Sequence, residues 1–292
     1  QNEMAELEKV TKQDIIDFTN AKYADNYVVI YKRAGEDKSV IKVTKPSITP
    51  VSVNREDQSV FLVNLLAEEA ANIEPVFLNF EKDIQKSNVG DVELIYKENT
   101  ENERFKLNYI LEMGKDHDVK LKLAVDYLKY LGTDAMSPSQ KEEEFYKLGC
   151  DLSVNCGSEK TTITLSGLAN NFDESVALFE QILAGAVADD EALENLKSSE
   201  LKARNDAKLN KQIILWRAMG SYAKYGDNSS FRNILSEGDL NNVTSAELVD
   251  LIHNLTSYEH KVLYYGPEPI NKVTSDLEKL HANKSGLKMI PT

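Results

Sequence analysis

Residues 118–133, DVKLKLAVDYLKYLGT, carry the plainest helical pattern of the chain. Leu121, Val125 and Leu128 recur at the four-then-three spacing of a buried helix face, with Val119, Leu123 and Leu131 adding apolar bulk. Lys120, Lys122, Asp126 and Lys129 take the solvated positions. Gly132, just past the last apolar residue, predicts the stop. Around this helix the period changes to two. VELIYK at 92–97 and FKLNYILEM at 105–113 read as strands, and the polar turn at 99–102 predicts that they pair as a hairpin. A second hairpin is predicted at 151–168. Cys150, Leu152, Val154 and Cys156 fall on one face of its first strand, Gly157-Ser158 opens the turn, and Thr161, Ile163 and Leu165 return with period two. Between the hairpins, Ser137 is a candidate N-cap, Pro138 a first-turn residue and Gly149 a stop.

Helices are further predicted at 172–186 (Val176, Leu178, Phe179, Ile182, Leu183), 189–207 (Leu193, Leu196, Leu201) and 211–225. In the last, Trp216 beside Ile213, Ile214 and Met219 reads as core. Tyr225-Gly226-Asp227-Asn228 turns the chain. Thr244 caps a helix with Glu247 at the capping-box position. A final strand at 261–265 and a helix at 269–281 follow. The order strand–strand–helix–helix–strand–strand–helix predicts an α+β fold, an antiparallel sheet with helices packed on one face.

The first third of the chain reads differently. Thr11, with Asp14 three residues on, predicts a capped helix with Ile15, Phe18 and Tyr23 on its apolar side, and Tyr27–Tyr31 reads as a short strand. One helix and one strand bury no core unaided, so residues 1–34 read as the tail of a preceding domain. Residues 35–90 open on the turn signal Gly35-Glu36-Asp37, are interrupted by Pro46, Pro50 and Pro75, and hold one short helix at 57–72. They read as a linker, and residues 91–292 as the main domain. Gln1 is followed by no charged and then apolar leader, so the chain reads as a processed or excised piece.

Composition narrows the function classes. The net charge is −14, which argues against nucleic acid and anionic membrane as partners. No apolar run approaches the ~18 residues of a membrane span. Six residues of strand separate Cys150 from Cys156 by roughly 20 Å, beyond the ~6 Å reach of a disulfide, so two core thiols are expected. His117, His253, His260 and His281 show no metal-ligand spacing, and His253 and His260 read as structural. No nucleophile elbow, phosphate-binding loop or dinucleotide fingerprint occurs.

The succession helix, L-G-T, S-P-S-Q and a helix running into LGCDLSVNCGSEKTTITLSGL resembles the insulinase/pitrilysin zinc metallopeptidases, the inverzincins. The later run YAKYG, LSEGDL, LTSYEHKVLYYGP resembles the third, non-catalytic domain of long single-chain members. The likeness spans residues 91–283 well and 1–90 loosely. Catalytic domains of that family carry H-x-x-E-H shortly before the L-G-T, two His binding zinc and the Glu acting as general base. The matching positions here are Leu123, Asp126 and Tyr127. Leucine offers zinc no lone pair, so the motif is degenerate and this chain is expected to bind no metal and no cofactor. The family's third ligand, a Glu, maps near Lys202 or Ala203, with Glu200 the nearest carboxylate.

The resemblance therefore implies a LuxS/processing-peptidase type of fold in a non-catalytic C-terminal-half domain. Its role would be to wall a chamber that holds a peptide or unfolded protein near zinc bound in a half outside this sequence. The alternative is a purely structural subunit of the same fold, and a third reading is an independent hydrolase with its own zinc. Long bacterial members are often exported, which leans the expected compartment toward the periplasm.

Overall fold

The computed structural model describes residues 9–23, 25–32, 35, 39, 41, 43–49, 54, 57–69, 73–75, 77–229 and 232–291. It divides the chain into two units, Gln1–Ile73 and Glu74–Thr292. In the first unit, α1 spans Lys12–Lys22. Thr11 accepts the Asp14 amide while the Asp14 carboxylate accepts the Thr11 amide, the reciprocal cap read from the sequence. Helix α2 is Val60–Ala67, capped by Ser59, and is shorter than the predicted 57–72. Residues 70–72, like Glu36 and Asp37 of the predicted turn, lie outside the described residues. Tyr27–Tyr31 forms no strand. A strand exists by its ladder, and no described residue supplies one to this run. Neither helix buries a residue.

The second unit is built on six strands: β1 Gln85–Val89, β2 Val92–Glu98, β3 Arg104–Leu111, β4 Cys150–Cys156, β5 Thr161–Leu168 and β6 Lys261–Gly266. Their order is β1-β2-β6-β3-β5-β4. The predicted β4–β5 hairpin is present, in the register Leu152↔Leu165. The predicted β2–β3 hairpin is not. Strand β6 lies between them, parallel to β2 and antiparallel to β3, with Tyr264 opposite both Tyr96 and Leu107. The sheet is therefore mixed, with one parallel ladder. The interior position goes with burial: Val262 and Tyr264 are fully enclosed, and Tyr264 stacks on Tyr96 with ring centroids 5.6 Å apart. Strand β1 falls in the stretch expected to be linker. Its sequence, QKSNV, buries only Val89, so it carries no period-two signal, and its register comes from the two-residue turn to β2.

The helices are α3 Leu121–Leu128, α4 Pro138–Leu148, α5 Phe172–Gly185, α6 Asp190–Leu209, α7 Gly220–Tyr225, α8 Glu237–Asn242, α9 Ser245–Asn254 and α10 Ile270–Leu280, with a π-helical stretch Ile213–Met219 leading into α7. Helices α3 and α4 pack on β4, α5 on β5, and α10 on β1 and β2. Along β5, Thr161, Ile163 and Leu165 are buried on that side while Thr162, Thr164 and Ser166 are half-buried on the other. Phe172 and Phe179 of α5 meet Phe105 and Tyr109 of β3 edge-on, at 5.0 and 5.1 Å between ring centroids. Helix α4 follows its sequence closely: Ser137 and Gln140 cap reciprocally, and Gly149 ends it at φ 61°, in the left-handed region.

Helix α3 is shorter than predicted. At its start the Asp118 carboxylate accepts the Lys120 amide and the Asp118 carbonyl accepts the Leu121 amide, a local turn that competes with the helix. At its end the buried Lys141 ammonium donates to the carbonyls of Leu128, Lys129 and Leu131 at 3.4, 3.2 and 3.0 Å. Gly132 is not a left-handed cap. It is required because a Cβ there would sit 2.3 Å from the Met136 carbonyl oxygen. Trp216 departs most from expectation, at 73% exposed. Ile213, Ile214, Leu215 and Trp216 are consecutive, so they point around a helix and cannot share one buried face.

Candidate functional site

Leu123, Asp126 and Tyr127, the positions that the resemblance matches to the family's motif, lie on α3, which packs against α9 and α6. Leu123 is buried and Asp126 half-buried. Both face a cleft of about 390 Å³ closed by Glu200, Ala203 and Arg204 of α6, by Ile213 and Arg217 of the π-helical stretch, and by the 233–235 segment. The two parts of the chain that the resemblance pairs as a metal site, around 123–127 and 200–203, are thus side by side. Tyr127 is turned away. It is fully enclosed, its hydroxyl donates to the Asp189 carbonyl at 2.6 Å and it accepts the Asp189 amide at 2.7 Å. It anchors the N-cap of α6, where Asp189 also accepts the Ala192 amide. Burial raises the phenol above its ordinary pKa, so it stays protonated and a poor ligand.

The donor set does not fit zinc. Leu123 has no lone pair. Asp126 is taken by two ammonium groups, Lys122 and Lys129. Glu200 accepts from Arg204 Nε at 2.9 Å. Among the described residues no group of three or more His, Cys, Asp or Glu side chains could hold a metal ion. The cleft is instead cationic, with Lys115, Lys122, Arg204 and Arg217 against Asp126 and Glu200. Lys115 donates to the Asn233 carbonyl at 3.1 Å while the Asn233 amide nitrogen donates back to the Lys115 carbonyl and to Asp116. Arg204 also donates to the Leu235 carbonyl at 2.7 Å. These basic groups escaped the sequence reading because they come from four separate segments.

A larger cleft, about 1000 Å³, runs between α3, α4 and the edge strand β4. It holds none of the motif positions. Cys150 and Cys156 are both buried and unbridged, and burial raises both thiols.

The histidines are engaged elsewhere. His117 Nδ1 accepts the Gly114 amide, and His253 Nε2 donates to the Ala186 carbonyl at 2.9 Å. His260 and His281 meet in the core. His260 Nδ1 lies 2.7 Å from the Tyr258 carbonyl, which can only accept, so that nitrogen carries the proton and Nε2 is the acceptor. His281 Nε2, 2.9 Å away, must then donate. His281 Nδ1 lies 2.7 Å from Glu180 Oε1, which also accepts from the Tyr109 hydroxyl at 2.8 Å. Burial, above all, holds the His260 imidazole down at about 4 and pushes the Tyr109 phenol well up. Every hydrogen of this network is spent internally, and none of its members lines a described cleft. Sequence reading could not assemble it, since its partners are up to 101 residues apart.

No family model and no curated protein matches the chain. Solved structures do. The peptidase M16 inactive domain of Pseudomonas fluorescens aligns at TM-score 0.60 and 14% identity, over 70% of this chain and 52% of that one. The periplasmic protease PqqL of Escherichia coli aligns at 0.60 and 14%, over 100% of this chain and 30% of its own. The ferredoxin protease FusC, solved with Arabidopsis ferredoxin, aligns at 0.61 and 11%, over 97% and 29%. The likeness is one of fold, and the chain spans about half or less of each relative's length. Its α+β architecture is that of the peptidase M16 domains.

Proposed function

We propose, from the fold shared with those peptidase domains, that this chain is a non-catalytic scaffold domain of a zinc metallopeptidase. In this reading it walls a substrate chamber, while zinc and the H-x-x-E-H helix belong to a catalytic half outside the present sequence. The observation that carries it is the replacement at Leu123, Asp126 and Tyr127. On α3 one of these positions has no donor, one is ion-paired and one is locked to the backbone of Asp189. A domain without catalytic side chains still contributes to rate by orienting a bound peptide, because positioning alone lowers a barrier by several kcal/mol. The ferredoxin complex of FusC supports a protein as the substrate class. The periplasmic location of PqqL supports export. No helix among the described residues is long and apolar enough to cross a membrane, and the acidic surface does not suit nucleic acid.

The test is a zinc determination on the isolated chain together with two assays on a labelled unfolded protein, one for cleavage and one for binding. The expected result is zinc far below one equivalent, no cleavage and measurable binding. Zinc near one equivalent with cleavage would make the chain an independent hydrolase. Absence of binding would leave the purely structural alternative.

A further inference from the structure

We propose that the cleft left by the lost metal motif is a subsite for an acidic side chain of a bound peptide, with Arg217 as the group that takes its carboxylate. The inference rests on the reading of the chain as a peptide-handling domain and adds the chemistry of what it handles.

Three observations carry it. First, the cleft is lined by four cations and two carboxylates in a chain whose net charge is −14. A positive cavity on an acidic protein concentrates anions where the rest of the surface repels them. Second, the lining charges are not equivalent. Asp126 is held between Lys122 and Lys129, and Glu200 is held by Arg204. Arg217 forms no ion pair among the described residues. Its planar fork of donors matches a carboxylate in two-point contact. Third, Arg217 stands on a helix whose other side chains suit a peptide. Leu215, Trp216, Met219 and Tyr222 are all exposed, and Ile213 and Ile234 add apolar wall inside the cleft. Exposed aromatic and aliphatic groups on the same helical stretch as an arginine have the composition of a recognition surface. The occupant that satisfies both halves is an extended peptide with a Glu or Asp next to a large apolar residue. The carboxylate enters the cleft and the apolar neighbour lies on Trp216.

Trp216 is the single tryptophan and adjoins Arg217, so its fluorescence reports directly. A peptide alternating Glu and Leu, blocked at both ends, is titrated against the whole chain beside its Gln-for-Glu counterpart and a Gln peptide with a free C-terminus. The expected result is binding of the Glu peptide, about tenfold weaker in Arg217→Ala, with Arg217→Lys between them. Added salt weakens it, as for an exposed charge contact. Arg232→Ala, an exposed arginine paired with Asp227 outside the cleft, leaves it unchanged. Circular dichroism confirms folding of each variant. Equal binding of the Glu and Gln peptides, or a Glu peptide indifferent to Arg217→Ala, overturns the subsite while leaving the scaffold reading intact. Preference for the free C-terminus also overturns it. Failure of every peptide, including the labelled unfolded protein, removes both readings together.

Discussion

Acidifying the protein should destabilise it through His260 before its surface carboxylates respond. The ring is buried between the Tyr258 carbonyl and His281 Nε2, and a second proton on it would point at a hydrogen already there. Its imidazole sits at about 4 in the fold against an ordinary 6.5. Between those values the unfolded chain binds a proton that the folded chain refuses, so stability falls as pH falls. The loss begins near 6.5 and is complete below about 4. The gap corresponds to about 3 kcal/mol, of which roughly 1 kcal/mol should be gone by about pH 5.5. Glu247, held down at about 2 by the Thr244 backbone amide and then by Lys120 and the Thr244 hydroxyl, is shifted in the same direction but over a lower range. Its contribution is present above the ordinary Glu value and is lost only as pH drops from there toward 2, a separate window. The assay is urea unfolding followed by circular dichroism across the range, on wild type and His260→Leu. The variant should be less stable at neutral pH by about 1–3 kcal/mol, because the Tyr258 carbonyl and the His281 N–H lose their partner. Its stability should also be flatter between about pH 6.5 and 4.5. Glu180, His281 and Tyr109 are the other ionisable groups packed with the ring, and all three remain in the variant. Parallel slopes in the two proteins would refute the assignment.

Two further substitutions test the device that ends α3. Lys141→Met keeps the stem but leaves three carbonyls without their donor, and should lower stability by about 1–3 kcal/mol in the same unfolding assay. Gly132→Ala should also destabilise, by about 1–3 kcal/mol, because the new Cβ meets the Met136 carbonyl at 2.3 Å. Were Gly132 merely an unstrained helix end, alanine would stabilise by restricting the unfolded chain, so the sign decides.

What the sequence yields depends on how local each signal is. Helix α4 needs only Ser137, Pro138, Gln140 and Gly149, all within thirteen residues, and it forms where those residues place it. The β4–β5 hairpin is likewise written in adjacent alternation. Strand β1 has one buried residue and no pattern to read. The insertion of β6 between β2 and β3 depends on contacts across more than 150 residues, which periodicity does not encode. At the candidate site, positions 123, 126 and 127 were singled out only through a resemblance. The separate fates of Leu123 and Tyr127 were not legible, because they depend on the start of α6, about sixty residues away. Trp216 shows the limit of residue type as a guide: an aromatic among aliphatics suggests burial, but four apolar residues in a row must surround their helix.

The late arrival of β6 has a consequence for how the chain is made. A ribosome that has not yet reached Lys261 carries two separate half-sheets, β1–β2 and β3–β5–β4, each with a raw hydrogen-bonding edge facing the gap the missing strand will fill. Such edges invite pairing with any neighbouring strand, and closing them waits on a distant segment. The nascent domain is therefore most exposed to aggregation over the stretch that encodes α6 through α9, and its sheet becomes whole only when Tyr264 slides in against Tyr96.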